Sequence, residues 1–120
     1  MSISDSLAKT WIRDRHVRVT LYHNDADWPG IDITAKVDTG ADRCSIDIEL
    51  AYALGWEVGG ERTIKNANGK QRREYGSGVI EVDGEEFLMC ATFTDRSKLS
   101  HPVLIGHDLL VELLDLSEEE

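Results

Sequence analysis

The chain has 120 residues, of which 23 are acidic and 13 are basic, so its formal net charge is -10 at pH 7. This length predicts a single domain over residues 1–120, with a hydrophobic core of its own. Because phosphate binding requires a basic surface, the charge argues against nucleic acid as a partner. We expect no membrane partner and a cytoplasmic location, since no apolar run is long enough to span a bilayer and the N-terminus lacks the pattern of a secretion signal.

The first 15 residues form a mixed, polar N-terminal arm whose large apolar residues are Leu7, Trp11 and Ile12. Two interpretations of this arm are open. Either the Trp11-Ile12 pair contacts a second subunit, or the arm packs on its own subunit.

Two strands are predicted after the arm. Residues 17–21 and residues 31–37 each alternate apolar and polar side chains, which is the period of a half-buried strand. Residues 22–30 are rich in Asn, Asp, Pro and Gly and predict a loop. We therefore predict a hairpin whose second strand runs directly into Asp38.

The turn Asp38-Thr39-Gly40 follows this strand. A carboxylate at the end of an apolar strand is costly to bury unless it has partners. Gly40 permits a tight turn in which backbone N–H groups approach the carboxylate closely. Such a turn holds an Asp with hydrogen bonds and leaves one of its oxygens facing a cleft.

A short helix and a polar hairpin are predicted next. Asp47 is a candidate N-cap for a helix over residues 48–54, which Gly55 ends. Residues 62–77 are polar, and Asn68-Gly69 near their middle is the strongest short-range signal for a hairpin turn.

A second hairpin and a C-terminal helix complete the predicted elements. Residues 79–82 and 87–93 read as strands joined by a turn at Asp83-Gly84. The apolar run 103–105 leads to a glycine, and the leucines of residues 109–114 then predict a short helix with one apolar face.

Cys44 and Cys90 are too far apart for a C-x-x-C motif and too few for a disulfide framework. We predict two reduced and buried thiols.

Two segments together resemble the retropepsins, the small single-domain branch of the aspartic proteases. The first is the strand followed by Asp38-Thr39-Gly40-Ala41, and the second is Pro102–Leu110, where an apolar strand leads to Gly, a basic residue, Asp and leucines. Their order and spacing match over residues 16–114. The resemblance implies a mainly β acid-protease fold, a closed β-barrel with one or two short helices, in which the second segment packs beneath the Asp38 turn.

Enzymes of this family hydrolyse peptide bonds with two carboxylates that share one proton. This chain has one Asp-Thr-Gly, so the resemblance implies an aspartic endopeptidase that works as a homodimer on a peptide or protein substrate. Asp38 of each subunit would be catalytic, with Thr39 and Gly40 as its supports. We expect no cofactor and no metal.

The resemblance also assigns substrate binding to Ala41 and Asp42, which flank the bound peptide in retropepsins. In that family the Asp at the place of Asp42 usually pairs with an Arg, but His107 stands at that position here. A His can lose its charge near neutral pH, so we predict an Asp42–His107 contact that makes dimer stability or activity sensitive to pH. The alternative is a His107 that caps or packs near the helix start.

The hairpin over residues 62–77 stands where retropepsins have the flap, which closes over the substrate. On this interpretation its tip, Ala67, Asn68 and Gly69, binds the substrate main chain; the alternative is an ordinary surface hairpin. Its basic residues protect a solvated edge, recruit acidic substrates, or contact the acidic tail over residues 117–120.

One other function is open. A chain that keeps the fold without cleaving peptides would be a binding or assembly module. Some bacterial relatives with a similar turn carry the label of ATP-dependent zinc protease. This sequence gives that label no support, because it has no phosphate-binding loop and no H-E-x-x-H motif. Its four histidines also do not fall at metal-ligand spacings with either cysteine.

Overall fold

The computed structural model describes residues 5–25, 27–66 and 69–111. Its first element is a helix, α1 (Asp5–Asp14), where the sequence predicted an irregular arm. Trp11 is 5% exposed and belongs to the hydrophobic core of its own subunit. The N–H of Arg15 donates to the carbonyl of Trp11 at 2.8 Å, and Arg15 has a φ of 64°, so the helix ends in a left-handed residue.

The strands of the described residues are β1 (His16–Leu21), β2 (Ile31–Val37), β3 (Cys44–Asp47), β4 (Val58–Asn66), β5 (Gly69–Val82), β6 (Glu85–Thr94) and β7 (Val103–Ile105). Helix α2 (Ile48–Ala53) lies between β3 and β4, and a helical segment, α3 (107–111), follows β7. No helix within the described part of the chain is long and apolar enough to cross a membrane.

Six of these strands close into a barrel. Neighbouring strands follow the order β1-β2-β7-β3-β6-β5, and β1 also pairs with β5, while β4 extends the sheet beyond β5. The pairs β2–β7 and β3–β6 are parallel. The barrel interior holds fully buried side chains such as Leu21, Ile46, Ile80 and Met89. The structure is therefore the mainly β, closed-barrel fold that the sequence resemblance implied, with three short helices instead of one or two.

Helix α2 begins at the cap that the sequence predicted. Asp47 accepts a hydrogen bond from the N–H of Leu50 at 3.3 Å, and Gly55 follows the helix with a φ of 70°. The other carboxylate oxygen of Asp47 accepts from the N–H of Arg96 at 2.8 Å. One side chain thus caps α2 and fixes the loop between β6 and β7.

The two predicted hairpins are present. Strands β4 and β5 pair antiparallel up to Asn66 and Gly69, and Gly69 has a φ of 113°. The turn between β5 and β6 has Asp83 and Gly84 at φ 51° and 85°, as a two-residue hairpin turn requires. In the longer hairpin, the guanidinium of Arg72 lies 3.0 Å from the carboxylate of Glu61 on the opposite strand, so this basic side chain is paired within the hairpin.

Both cysteines are free, but only Cys44 is buried. The prediction of two buried thiols is wrong for Cys90, which is exposed. Side chains along β6 alternate between the two faces of the sheet, and Met89 and Ala91 occupy the inner face. Cys90, which lies between them, must therefore point outwards.

Candidate active site

Asp38 lies where β2 ends, at the rim of the barrel. Its N–H donates to the carbonyl of Ile105 in β7 at 3.0 Å, and its own carbonyl accepts from the N–H of Ala41 at 3.2 Å. Its Oδ1 accepts from the N–H of Gly40 at 2.9 Å. These bonds fix the backbone of Asp38 and one carboxylate oxygen, which leaves Oδ2 for a ligand.

The turn around this carboxylate is tight and open to solvent. A Cβ at Gly40 would lie 3.3 Å from Oδ1 of Asp38, so a side chain there would crowd the carboxylate. Thr39 and Gly40 are exposed, and Asp38 is half-buried. The structure thus presents Asp38 at the surface with its orientation already set.

The segment after β7 packs beneath this turn, as the resemblance implied. The N–H of His107 donates to the carbonyl of Ala41 at 2.7 Å, and the N–H of Asp108 donates to the carbonyl of Asp42 at 3.2 Å. Because β2 and β7 are parallel, the chain leaving β7 meets the chain leaving β2 at the same end of the barrel. The two motifs are therefore adjacent in space.

The two segments are not joined by the predicted side-chain contact between Asp42 and His107. Both side chains are exposed, and no hydrogen bond or ion pair between them occurs in the described residues. The backbone bonds of the two segments make the connection instead. An exposed ion pair gains little over solvation, so nothing in this arrangement forces the side chains together.

Asp108 supplies a connection that sequence reasoning missed. Its Oδ1 accepts from the N–H of Leu109 at 2.8 Å, from the N–H of Cys44 at 3.1 Å and from the thiol of Cys44 at 3.3 Å. Burial raises the pKa of the Cys44 thiol to about 12, so the thiol is a neutral donor. Asp108 thereby ties the start of β3 to α3.

The tip of the hairpin that was predicted to be a flap is only partly described. Ala67 and Asn68 lie outside the described residues, while Gly69 is exposed at the start of β5. The substrate-binding role given to these three residues stays a prediction, as does the role of Ala41 and Asp42. The acidic tail over residues 117–120 also lies outside the described residues.

A hollow of about 370 Å³ lies beside Asp38. Besides Asp38 it is lined by Ile12, Arg15, Lys36, Val37 and Thr39. Arg15 and Lys36 were not among the predicted site residues. One signal was available, since Lys36 precedes Asp38 by two residues and alternate residues of a strand share a face.

No group of three or more His, Cys, Asp or Glu side chains within residues 5–25, 27–66 and 69–111 is arranged to hold a metal ion.

Comparison with known proteins identifies neighbours by structure but not by sequence. No protein-family model matches the chain, and a search of curated protein sequences gives no significant match. The Simian Foamy Virus (mac) protease matches with a TM-score of 0.58 at 12% identity, over 82% of this chain and 94% of that one. A protein of unknown function from Legionella pneumophila matches with a TM-score of 0.55 at 17% identity, over 82% and 84% of the two chains.

A retropepsin-like aspartic protease from Rickettsia conorii matches with a TM-score of 0.50 at 18% identity, over 78% of this chain and 66% of that one. Identities this low establish a shared fold and nothing finer. The fold is thus retropepsin-like, and neighbours that have it include a viral protease and a bacterial protease.

Proposed function

We propose that this chain is one subunit of a homodimeric aspartic endopeptidase. One observation carries the proposal: Asp38 stands at the open end of the barrel, with Oδ1 held by the N–H of Gly40 and the turn anchored to β7. An aspartic dyad needs two such carboxylates, and one chain supplies one. A two-fold axis through the exposed face of the Asp38 turn would place Asp38 of a second copy beside the first.

In the proposed dimer the two Asp38 carboxylates share one proton, because like charges so close do not both ionise. The ionised carboxylate takes a proton from a water molecule, whose oxygen attacks the carbonyl carbon of the scissile bond. The protonated carboxylate donates to the carbonyl oxygen and stabilises the charge that develops there. Cleavage of the C–N bond then releases the amine, which receives the proton taken from the water.

The retropepsin-like neighbours support this proposal through their fold, and the retained Asp-Thr-Gly turn supports it through its chemistry. The competing function is a binding or assembly module on the same fold, since a fold does not fix an activity. The neighbour of unknown function from Legionella pneumophila has the same architecture. Cleavage that depends on Asp38 separates the two hypotheses.

The test compares wild type with Asp38→Asn on pooled peptides from mildly acidic to neutral pH. We expect wild type to cleave with a bell-shaped pH profile centred below neutrality, because one carboxylate must be ionised and the other protonated. Asp38→Asn should lose at least about a hundredfold in rate, since it removes the general base and an acid from each dyad.

Asp83→Asn is the matched control. Asp83 has the left-handed backbone of a hairpin turn, which Asn adopts equally well. Its side chain is exposed, and the residue is distant from Asp38 in the sequence. This variant should cleave like wild type. Equal background cleavage by wild type and Asp38→Asn, with both folded and dimeric, would contradict the proposal and favour the binding module.

A further inference from the structure

We propose that Arg15 and Lys36 form a carboxylate-binding subsite beside Asp38, so that preferred substrates carry an acidic group next to the bond that is cleaved. The inference rests on the proposed function, and it names the class of substrate that the site would select. The carboxylate is either an Asp or Glu side chain within the peptide or the free C-terminus of the peptide.

Arg15, Lys36 and the candidate catalytic residue Asp38 line one hollow. Arg15 directly follows α1, and Lys36 lies in β2, two residues before Asp38. The hollow measures about 370 Å³, which is room for a side chain of a bound peptide. A group bound there is next to the reacting carboxylate.

Neither cation is bonded to another side chain or to the backbone within the described residues. Both side chains are exposed, and no side-chain hydrogen bond or ion pair of Arg15 or Lys36 occurs in that part of the chain. In particular, neither forms an ion pair with Asp38. Two free cations and one carboxylate give this hollow a positive formal charge, on a chain whose net charge is -10. An acidic group is the ligand that fits this charge.

The backbone of Arg15 adds a second observation. Its φ of 64° lies in the left-handed region, which Gly or Asn usually adopts at the end of a helix and which strains other residues through their Cβ. A cation at a helix C-terminus offsets part of that strain. The N–H of Val37 donates to the carbonyl of Arg15 at 2.9 Å, so the strained residue is held against the strand that carries Lys36 and Asp38.

The experiment uses three matched peptide pools. The first has a Glu scanned across the positions around a central cleavable bond, with an amidated C-terminus. The second has Gln at the same positions, also amidated. The third is the Gln pool with a free C-terminal carboxylate. Cleavage gives kcat/KM, and fluorescence anisotropy with Asp38→Asn gives binding without turnover.

We expect wild type to favour at least one carboxylate pool over the amidated Gln pool by about three- to tenfold, the range that one or two exposed ion pairs provide. The preference should shrink as ionic strength rises towards about 1 M. Preference for the Glu pool shows that the bound carboxylate belongs to a side chain. Preference for the third pool shows that it is the C-terminus of the peptide. Either result supports the subsite.

Substitutions then test whether Arg15 and Lys36 cause this preference. The double variant Arg15→Gln with Lys36→Gln should lose it. Lys36→Glu should favour a fourth, amidated pool, which has Lys at the scanned positions, over the amidated Gln pool. Arg18→Glu is the matched control, because Arg18 is exposed on the neighbouring strand β1 and does not line the hollow. That variant changes the net charge equally and should keep the preference. If the double variant fails to fold, Lys36→Gln alone should halve the preference or more.

Equal cleavage of the three pools by wild type would overturn the subsite and leave the proposed endopeptidase intact. A preference that survives loss of both cations would overturn it as well. Failure of wild type to cleave any pool contradicts the proposed function instead, and the anisotropy measurement still reports whether the cations bind a carboxylate.

Discussion

Asp38 and Asp108 are acidic residues of neighbouring segments with different environments. Asp38 keeps one oxygen unbonded at the surface, whereas Oδ1 of Asp108 collects hydrogen bonds from Leu109 and from the backbone and thiol of Cys44. A carboxylate that accepts several hydrogen bonds stabilises structure, and one with a free oxygen is available for chemistry. The structure thus separates a positioning role for Asp108 from a candidate catalytic role for Asp38.

The burial of Cys44 leads to a prediction about thiol reactivity. The thiolate is the reactive form, and with a pKa of about 12 Cys44 is ionised in only about one molecule in 10⁴ at about pH 8. Cys90 is exposed. In native protein we therefore expect a disulfide reagent such as Ellman's to modify one thiol per chain rapidly, and both thiols after unfolding.

Cys90→Ser identifies which thiol reacts. This variant should show no rapid reaction when native and one reactive thiol when unfolded. Rapid modification of Cys44 in folded Cys90→Ser would contradict the buried, hydrogen-bonded position of its sulfur.

Sequence patterns predicted some residue environments and not others. The alternation of Phe87, Met89 and Ala91 already placed Cys90 on the opposite face of β6, so its exposure was predictable from the same pattern. The role of Asp108 was not, because it depends on β3 and α3 meeting at the end of the barrel. The resemblance drew attention to Asp42 and His107, whose side chains face solvent.

At the scale of elements, the strong periodic patterns were predicted correctly. Strands β1, β2 and β6, the β4–β5 hairpin and the capped helix α2 all follow from alternation, turn residues or a cap. Strand β3 was missed because it spans Cys44–Asp47, too few residues for a period to show. Helix α1 was missed because its segment is polar, although Leu7 and Trp11 stand four residues apart, which is a helical spacing.

Gly106, the residue after β7, packs against the backbone of the segment that follows the Asp38 turn. A side chain at this position has no room. A Cβ there would lie 2.5 Å from the carbonyl carbon of Arg43, closer still to its oxygen, and 3.0 Å from the carbonyl oxygen of Ala41. Backbone atoms cannot yield as a flexible side chain does. We expect Gly106→Ala to lower the free energy of unfolding by about 1–3 kcal/mol, as overpacking does, and to reduce cleavage by displacing the turn.

Gly59→Ala is the control for this prediction, measured in parallel by urea unfolding. The nearest atom to a Cβ at Gly59 would be 3.6 Å away, an ordinary contact on the exposed strand β4. Gly59→Ala should change the free energy of unfolding by less than about 0.5 kcal/mol, as is usual for surface substitutions. Equal stability of the two variants would show that the packing around Gly106 is looser than the structure indicates.

For the whole molecule, the barrel was predicted from a family resemblance, which two motifs far apart in the sequence carry. The Asp38 turn follows β2, the glycine motif follows β7, and the two strands lie side by side and parallel. Closure of the barrel through the pairing of β1 with β5 was implied by the family resemblance and not by any local pattern. The homodimer follows from the count of Asp-Thr-Gly turns, so it belongs to the proposed function.

Net charge governs how readily two copies would associate. Each subunit carries a formal charge of -10, so repulsion between copies opposes the proposed dimer. The Debye length is about 30 Å at 0.01 M salt and about 8 Å at 0.15 M, so added salt screens the repulsion. We expect the dissociation constant of the dimer to fall by about tenfold or more between these conditions, measured by sedimentation equilibrium at several protein concentrations.

This salt effect is opposite in sign to the one expected at the carboxylate subsite, where attraction between unlike charges weakens as salt rises. The two are separated by assaying at enzyme concentrations well above the dimer dissociation constant, where association no longer limits the rate. Under those conditions salt should reduce the preference for acidic peptides while total cleavage of neutral peptides stays constant. A dimer that tightens as salt is removed would contradict the electrostatic account, because repulsion between two acidic subunits can only grow when screening is lost.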